Sequence, residues 1–155
     1  MPHDMGRRWR FDRPMAVRPI RIVLADDHAV VRGGFRMILD AQPDMRVVGE
    51  ASDGPGVVAL ASGERPDVVV MDIGMPGMNG IDATRAILQD NPAARVLALS
   101  MQKDGVYVRE MLRAGAKGYL LKDSSEVDLL AAVRAVHAGK GWLSPGVSDA
   151  VLEDY

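Results

Sequence analysis

The chain has 155 residues, of which 48% are hydrophobic and 26% charged, with a formal net charge of −2. That length suits one domain with a real core, or one domain with a short appendage. The absence of cysteine excludes disulfides and thiolate metal sites; no apolar run reaches the roughly 18 residues of a membrane span, and the N-terminus lacks the apolar stretch of a secretory signal.

Charge is unevenly spread. Residues 1–19, "MPHDMGRRWRFDRPMAVRP", hold five arginines against two aspartates, three prolines and no apolar periodicity. They are expected to form a mobile basic arm. Arg7, Arg8 and Arg10 around Trp9 offer phosphate contacts, but a solvated tail is the preferred reading, and Met15 is an alternative start to Met1. The remainder carries fourteen basic against nineteen acidic residues, a poor surface for nucleic acid.

From Ile20, short β-rich apolar runs alternate with segments of helical spacing. Strands are predicted at 20–25, 46–51, 67–71, 95–100 and 117–121. Val31, Gly34, Phe35 and Ile38 mark the apolar stripe of the first helix, and Leu129, Ala132, Val133 and Val136 that of the last, predicted over 126–138. Shorter helices fit 55–62, 81–90 and 105–114. Pro43, Pro66 and Pro92 punctuate the returns to the next strand, and Gly115 and Gly139 stand where left-handed helix ends are expected. Gly33-Gly34 inside the first helix costs about 1 kcal/mol per glycine, and close helix–sheet packing is the expected compensation. Five strands alternating with five helices imply a parallel sheet with helices on both faces.

In such a sheet, ligands bind beyond the carboxyl ends of the strands. The first strand ends in Asp26-Asp27, the third in Asp72, the fourth in Ser100, and the fifth runs into Lys122. Singly, each has a plain explanation as a helix cap, a turn residue or a surface lysine. Together they carry a different meaning. Three carboxylates at one place repel one another unless a cation is present. A hard divalent ion such as Mg²⁺ uses one or two carboxylates and keeps several waters. A lysine and a hydroxyl beside it supply donors for an anion, a set suited to phosphoryl transfer.

The stretches "IRIVLADDHAVVRGG", "VVVMDIGMPGMNG", "VLALSM" and "GAKGYLLKD" resemble the receiver domain of bacterial two-component response regulators. The pairing of "ADDH" with "GYLLKD" points to the NarL/FixJ (LuxR-type) subgroup. The resemblance implies an α/β, doubly wound, five-stranded parallel sheet of order 2-1-3-4-5, flavodoxin- or CheY-like, over residues 20–144. It implies that Asp72 is the phosphoacceptor, taking its phosphoryl group from a sensor histidine kinase. Asp27, Asp72 and the backbone carbonyl of Gly74 would bind Mg²⁺, with Asp26 acting through a water. Lys122 and Ser100 would hold phosphoryl oxygens, and Tyr119 would turn inward with Ser100 on switching. Such a protein is no enzyme in the ordinary sense, but promotes its own Mg²⁺-dependent phosphorylation and dephosphorylation. A cytoplasmic location and a phosphorylation-dependent homodimer are also implied, with the last helix, or the fourth helix with the fifth strand, as the dimer face.

Family members of this subgroup usually continue into a helix-turn-helix domain that binds DNA. Residues 145–155 are expected to begin a linker or tail toward such a domain, which is absent from this sequence. The chain is therefore read as a receiver-only piece of a longer transcription factor; a stand-alone or phosphorylation-independent receiver acting as an interaction module is the alternative. Other rivals are weaker. A haloacid-dehalogenase-like phosphatase needs a second aspartate where Gly74 stands, and a flavodoxin-like electron carrier needs a Ser/Thr-rich loop where "DDHA" stands.

Overall fold

The computed structural model describes residues 18–101 and 104–147. Residues 1–17 of the expected mobile basic arm, with Arg7, Arg8 and Arg10 and the alternative start at Met15, lie outside them, as do residues 148–155. Strands and helices alternate: β1 (Ile20–Ala25), α1 (Ala29–Asp40), β2 (Met45–Ala51), α2 (Gly54–Glu64), β3 (Val68–Asp72), α3 (Gly80–Asp90), β4 (Arg95–Ser100), α4 (Gly105–Arg113), β5 (Gly118–Leu121), α5 (Glu126–His137) and β6 (Trp142–Leu143). The sheet order is β2-β1-β3-β4-β5-β6, and all pairings are parallel. The order 2-1-3-4-5 is thus present, and a short sixth strand lengthens the sheet beyond the five predicted. With only two residues, Trp142 and Leu143, β6 is too brief for a periodicity signal.

The alternation of the strands sorts side chains into two cores. Ile22, Leu24, Val68, Val70, Leu97 and Leu99 face α1 and α5, where they meet Leu39, Leu129, Ala132, Val133 and Val136. Val23, Val69, Met71, Val96 and Ala98 face the other layer, meeting Val57 and Ala61 of α2, Ala83 and Ile87 of α3, and Val108 and Met111 of α4. Every residue of β3 is buried, as a central parallel strand requires. Burying Val68–Met71 contributes roughly 6–12 kcal/mol. That is enough to carry a carboxylate at the strand's end whose partial desolvation costs several kcal/mol.

Helix ends follow local chemistry. Asp53, Asn79, Asp104 and Ser125 cap α2 to α5 by accepting a backbone N–H from within the first turn. Gly115 and Gly139 adopt φ of 113° and 81° after α4 and α5, as predicted, and Gly77 (φ 72°) turns the loop after β3.

Two expectations about α1 are corrected. The helix forms, but Val31 and Gly34 are exposed, and its buried side runs through Phe35, Ile38 and Leu39. Its first turns are anchored by polar contacts: Arg32 Nη1 donates to Asp26 O at 2.6 Å, and Arg32 and Arg36 both pair with Glu50 on β2. Gly33 and Gly34 are not sites of close packing either, since a Cβ at either position meets nothing within 4 Å. At the other end, residues 145–147 of the expected tail begin a helical turn, and Val147 is buried in the core shared by α2, α3 and α4.

Candidate functional site

The carboxyl ends of β1, β3, β4 and β5 bring Asp26, Asp72, Ser100 and Lys122 to one rim of the sheet. Parallel register does the positioning: Asp26 N–H donates to Ala51 O at 3.1 Å, Ile73 N–H to Leu99 O at 3.2 Å, and Lys122 N–H to Ser100 O at 2.9 Å. The strands therefore end in step. Beyond them lies a cleft of about 310 Å³ whose walls include His28, Asp72, Gly74, Ser100, Tyr107 and Lys122, with Ile73, Ile81 and Met101 as its apolar side.

At the floor, Lys122 Nζ stands 2.9 Å from Asp26 Oδ2 and 3.2 Å from Asp72 Oδ2. All three side chains are nearly removed from solvent, with 11%, 0% and 5% exposed, so water screens their charges little. Burial works against the Lys122 charge, but the Asp26 and Asp72 carboxylates outweigh it and hold the ammonium above its usual range. Burial also pushes the Asp72 carboxyl above the ordinary carboxylate range, against the pull of the Gly74 N–H and Lys122, with the Asp26 charge adding to the rise. Asp72 Oδ1 accepts the Gly74 N–H at 3.0 Å, which fixes the carboxylate's rotation.

The aspartate pair after β1 is free of helix-capping duty. The N-cap of α1 is His28, with no side-chain cap bond, and Asp26 Oδ1 instead accepts the His28 backbone N–H at 2.8 Å. One ligand atom from each of Asp26, Asp27, His28 and Asp72 lies within 4.8 Å of all the others. Asp27 Oδ1 is a buried atom with no hydrogen-bond partner. An orphaned buried carboxylate oxygen among other carboxylates is costly unless a cation completes it, and this donor set fits a hard divalent ion.

Ser100 is buried, with 3% exposure, and Tyr119 is already fully buried, so the inward turn expected of it on switching is not a movement it still has to make. Burial raises the Tyr119 phenol above its usual range, opposed by a hydrogen bond with Ser100. Gly74 is exposed and lies outside the positive-φ glycines. Of the seven residues singled out in the sequence, Asp72, Gly74, Ser100 and Lys122 line the cleft, Asp26 and Asp27 cluster with Asp72, and Tyr119 is buried outside the lining.

His28 and the pair Arg32–Glu50 were not singled out from sequence. The signal for His28 was its place directly after two acids, where a helix-start reading absorbs it. Nothing local marks Glu50 as the partner of a helix eighteen residues earlier.

Among the described residues, no helix is long and apolar enough to cross a membrane. The family model of the response regulator receiver domain matches residues 22–134. Oxygen regulatory protein NreC of Staphylococcus carnosus (strain TM300) is 42% identical over 137 residues, covering 88% of this chain and 63% of that protein. The chain therefore spans somewhat less than two thirds of the length of that relative. The crystal structure of a LuxR-family two-component response regulator from Aurantimonas sp. SI85-9A1 superposes with a TM-score of 0.85 at 38% identity, covering 88% of this chain and 97% of that one. A structure of two RcsB dimers bound to two parallel DNAs gives 0.79 at 26% identity, covering 86% and 68%.

Proposed function

The chain belongs to the response regulator receiver domain family, in its NarL/FixJ (LuxR-type) branch, and from that premise we propose that it is a phosphorylation-driven switch with Asp72 as the phosphoacceptor. The observation that carries this reading is the Lys122 ammonium held between Asp26 and Asp72 at the floor of an open cleft.

The steps follow from the side chains. Asp72, its rotation held by the Gly74 N–H, presents Oδ2 as the attacking oxygen on a phosphohistidine or a small acyl phosphate. A bond forms from Oδ2 to phosphorus, the bond to the donor's leaving atom breaks, and the product is an aspartyl phosphate. Lys122, already 3.2 Å from that oxygen, pairs with a phosphoryl oxygen. Ser100, in the wall of the same cleft, donates its hydroxyl to another. Asp27 and Asp72, with the Gly74 carbonyl, are the residues that would hold Mg²⁺, and Asp26 would act through a water. An ion held there would supply positive charge against the phosphoryl oxygens.

When Ser100 turns to the phosphate it leaves Tyr119, and the two form the hinge of a two-state surface around β4, α4 and β5. The donor is a sensor histidine kinase, and the output is a homodimer acting in the cytoplasm. DNA is reached only through a C-terminal domain beyond these residues. Residues 20–144 form the receiver, with an N-terminal basic arm and a linker on either side.

The test is incubation of the chain with Mg²⁺ and acetyl phosphate, beside Asp72→Asn. The expected result is an acid-stable, alkali-labile mass increase of one phosphoryl group in the wild type alone. An adduct of equal size in Asp72→Asn, or none from acetyl phosphate or a cognate kinase, overturns the assignment.

A further inference from the structure

Resting on the divalent-ion reading of the cleft, we propose that His28 is a nitrogen ligand at that site, so that the cluster takes a first-row transition dication of the Mn²⁺ class as well as Mg²⁺. The imidazole is 68% exposed, so packing does not explain where it points. Its Nδ1 nevertheless lies 3.2 Å from Asp27 Oδ1 and 3.4 Å from Asp26 Oδ1. Asp27 Oδ1 is buried and receives no N–H···O bond, so the imidazole nitrogen meets it at 3.2 Å without one.

The spacing instead matches two ligands sharing an ion. Adjacent ligands of an octahedral ion with bonds of about 2.2 Å are separated by about 3.1 Å. The wider cluster is of comparable size, since ligand atoms of Asp26, Asp27, His28 and Asp72 all lie within 4.8 Å of one another, against about 4.4 Å between opposite ligands of such an ion. Lys122 occupies the Oδ2 atoms of Asp26 and Asp72, so it leaves the His28 side of the cluster open.

Ligand chemistry then sets the selectivity. Mg²⁺ binds oxygen, sheds water reluctantly and gains little from an imidazole. Mn²⁺ and the later first-row ions accept imidazole nitrogen readily. His28 therefore acts as a selectivity residue: its loss weakens transition-ion binding and leaves Mg²⁺ binding nearly intact. Its exposed position makes His28→Gln safe for folding.

The experiment uses the untagged 155-residue chain at pH 8, with Mn²⁺ and Mg²⁺ as probes. Pulsed electron paramagnetic resonance of bound Mn²⁺ is expected to show the modulation of a directly bound imidazole ¹⁴N in the wild type, absent in His28→Gln. Calorimetry is expected to show Mn²⁺ affinity lowered about tenfold by His28→Gln and Mg²⁺ affinity changed by less than about twofold. Mn²⁺ bound without imidazole ¹⁴N coupling, or coupling that survives in His28→Gln, overturns the role of His28 while leaving the divalent site standing. Failure of the wild type to bind either ion overturns both.

Discussion

Lys122 holds its ammonium 3.2 Å from Asp72 Oδ2 while also pairing with the fully buried Asp26, so one cation is shared between two carboxylates. Removing it leaves two buried anions facing each other. Lys122→Met is expected to cost about 3 kcal/mol of unfolding free energy in the presence of a chelator. Millimolar Mg²⁺ should return most of that loss, because a divalent ion meets the same need. Urea unfolding with EDTA and with Mg²⁺ reads both values. Equal losses in the two conditions would mean that the lysine and the ion do not serve the same charges.

Ser100 acts on the Tyr119 phenol against the rise that burial imposes, and both side chains are nearly without solvent contact. Removing one of two interacting buried hydroxyls weakens the polar contacts around the other, at about 1–3 kcal/mol. Ser100→Ala is therefore expected to destabilise the chain by about 2 kcal/mol. The double variant Ser100→Ala/Tyr119→Phe should lose less than the sum of the single changes, because each single change already removes the interaction between the two hydroxyls. A thermodynamic cycle from urea unfolding measures this, and strict additivity would refute the coupling on which the hinge depends.

Much of this was legible in the sequence. The buried run leading into Asp72 and the glycines after α4 and α5 are local signals, and they read correctly. Lys122 and Asp26 were named as strand-end residues because parallel strands end together, which is a rule about topology. What escaped depends on geometry across the fold. The stripe of α1 was misplaced because Arg32 and Glu50 rotate the helix's polar anchorage onto β2, and no local periodicity records a partner eighteen residues away. The short β6 was missed because two residues carry no period. His28 was passed over because only the spacing of its Nδ1 from two carboxylates gives it meaning.

Glu50 ties α1 to β2 through Arg36 and Arg32, and Arg32 in turn grips the carbonyl of Asp26. The Arg36 hydrogen bond, against the cost of burial and with help from Arg32, holds the Glu50 carboxyl below its ordinary value of 4.5. A lowered folded value means that the unfolded chain binds the proton more readily. The stability from Glu50 is therefore complete above about pH 4.5, and is lost as pH falls through the lower folded value. Glu50→Gln is expected to lose about 1 kcal/mol at pH 7, discounted for the partial exposure of the group. The gap between the two proteins should close toward pH 3. Unfolding curves across pH 3–7 check this, and a gap that stays constant would show that the charge of Glu50 does not act through the arginines.

Gly74 is exposed, its φ lies outside the left-handed region, and a Cβ there would meet Asp72 Oδ1 at an ordinary 3.6 Å. A side chain is thus accepted without strain, and its effect should appear in chemistry and not in folding. With glycine at this place, solvent has an open approach to a phosphoryl group on Asp72. A long side chain at 74 covers that approach, so Gly74→Arg is expected to lengthen the life of the aspartyl phosphate about fivefold, near 1 kcal/mol of barrier. Gly74→Asn should move it less, since its carboxamide also hydrogen-bonds an attacking water. Decay of the phosphorylated mass after removal of the phosphodonor gives the three lifetimes, with unchanged urea midpoints as the control. Identical decay in all three would place the control of hydrolysis elsewhere, on Lys122 or on the metal ligands.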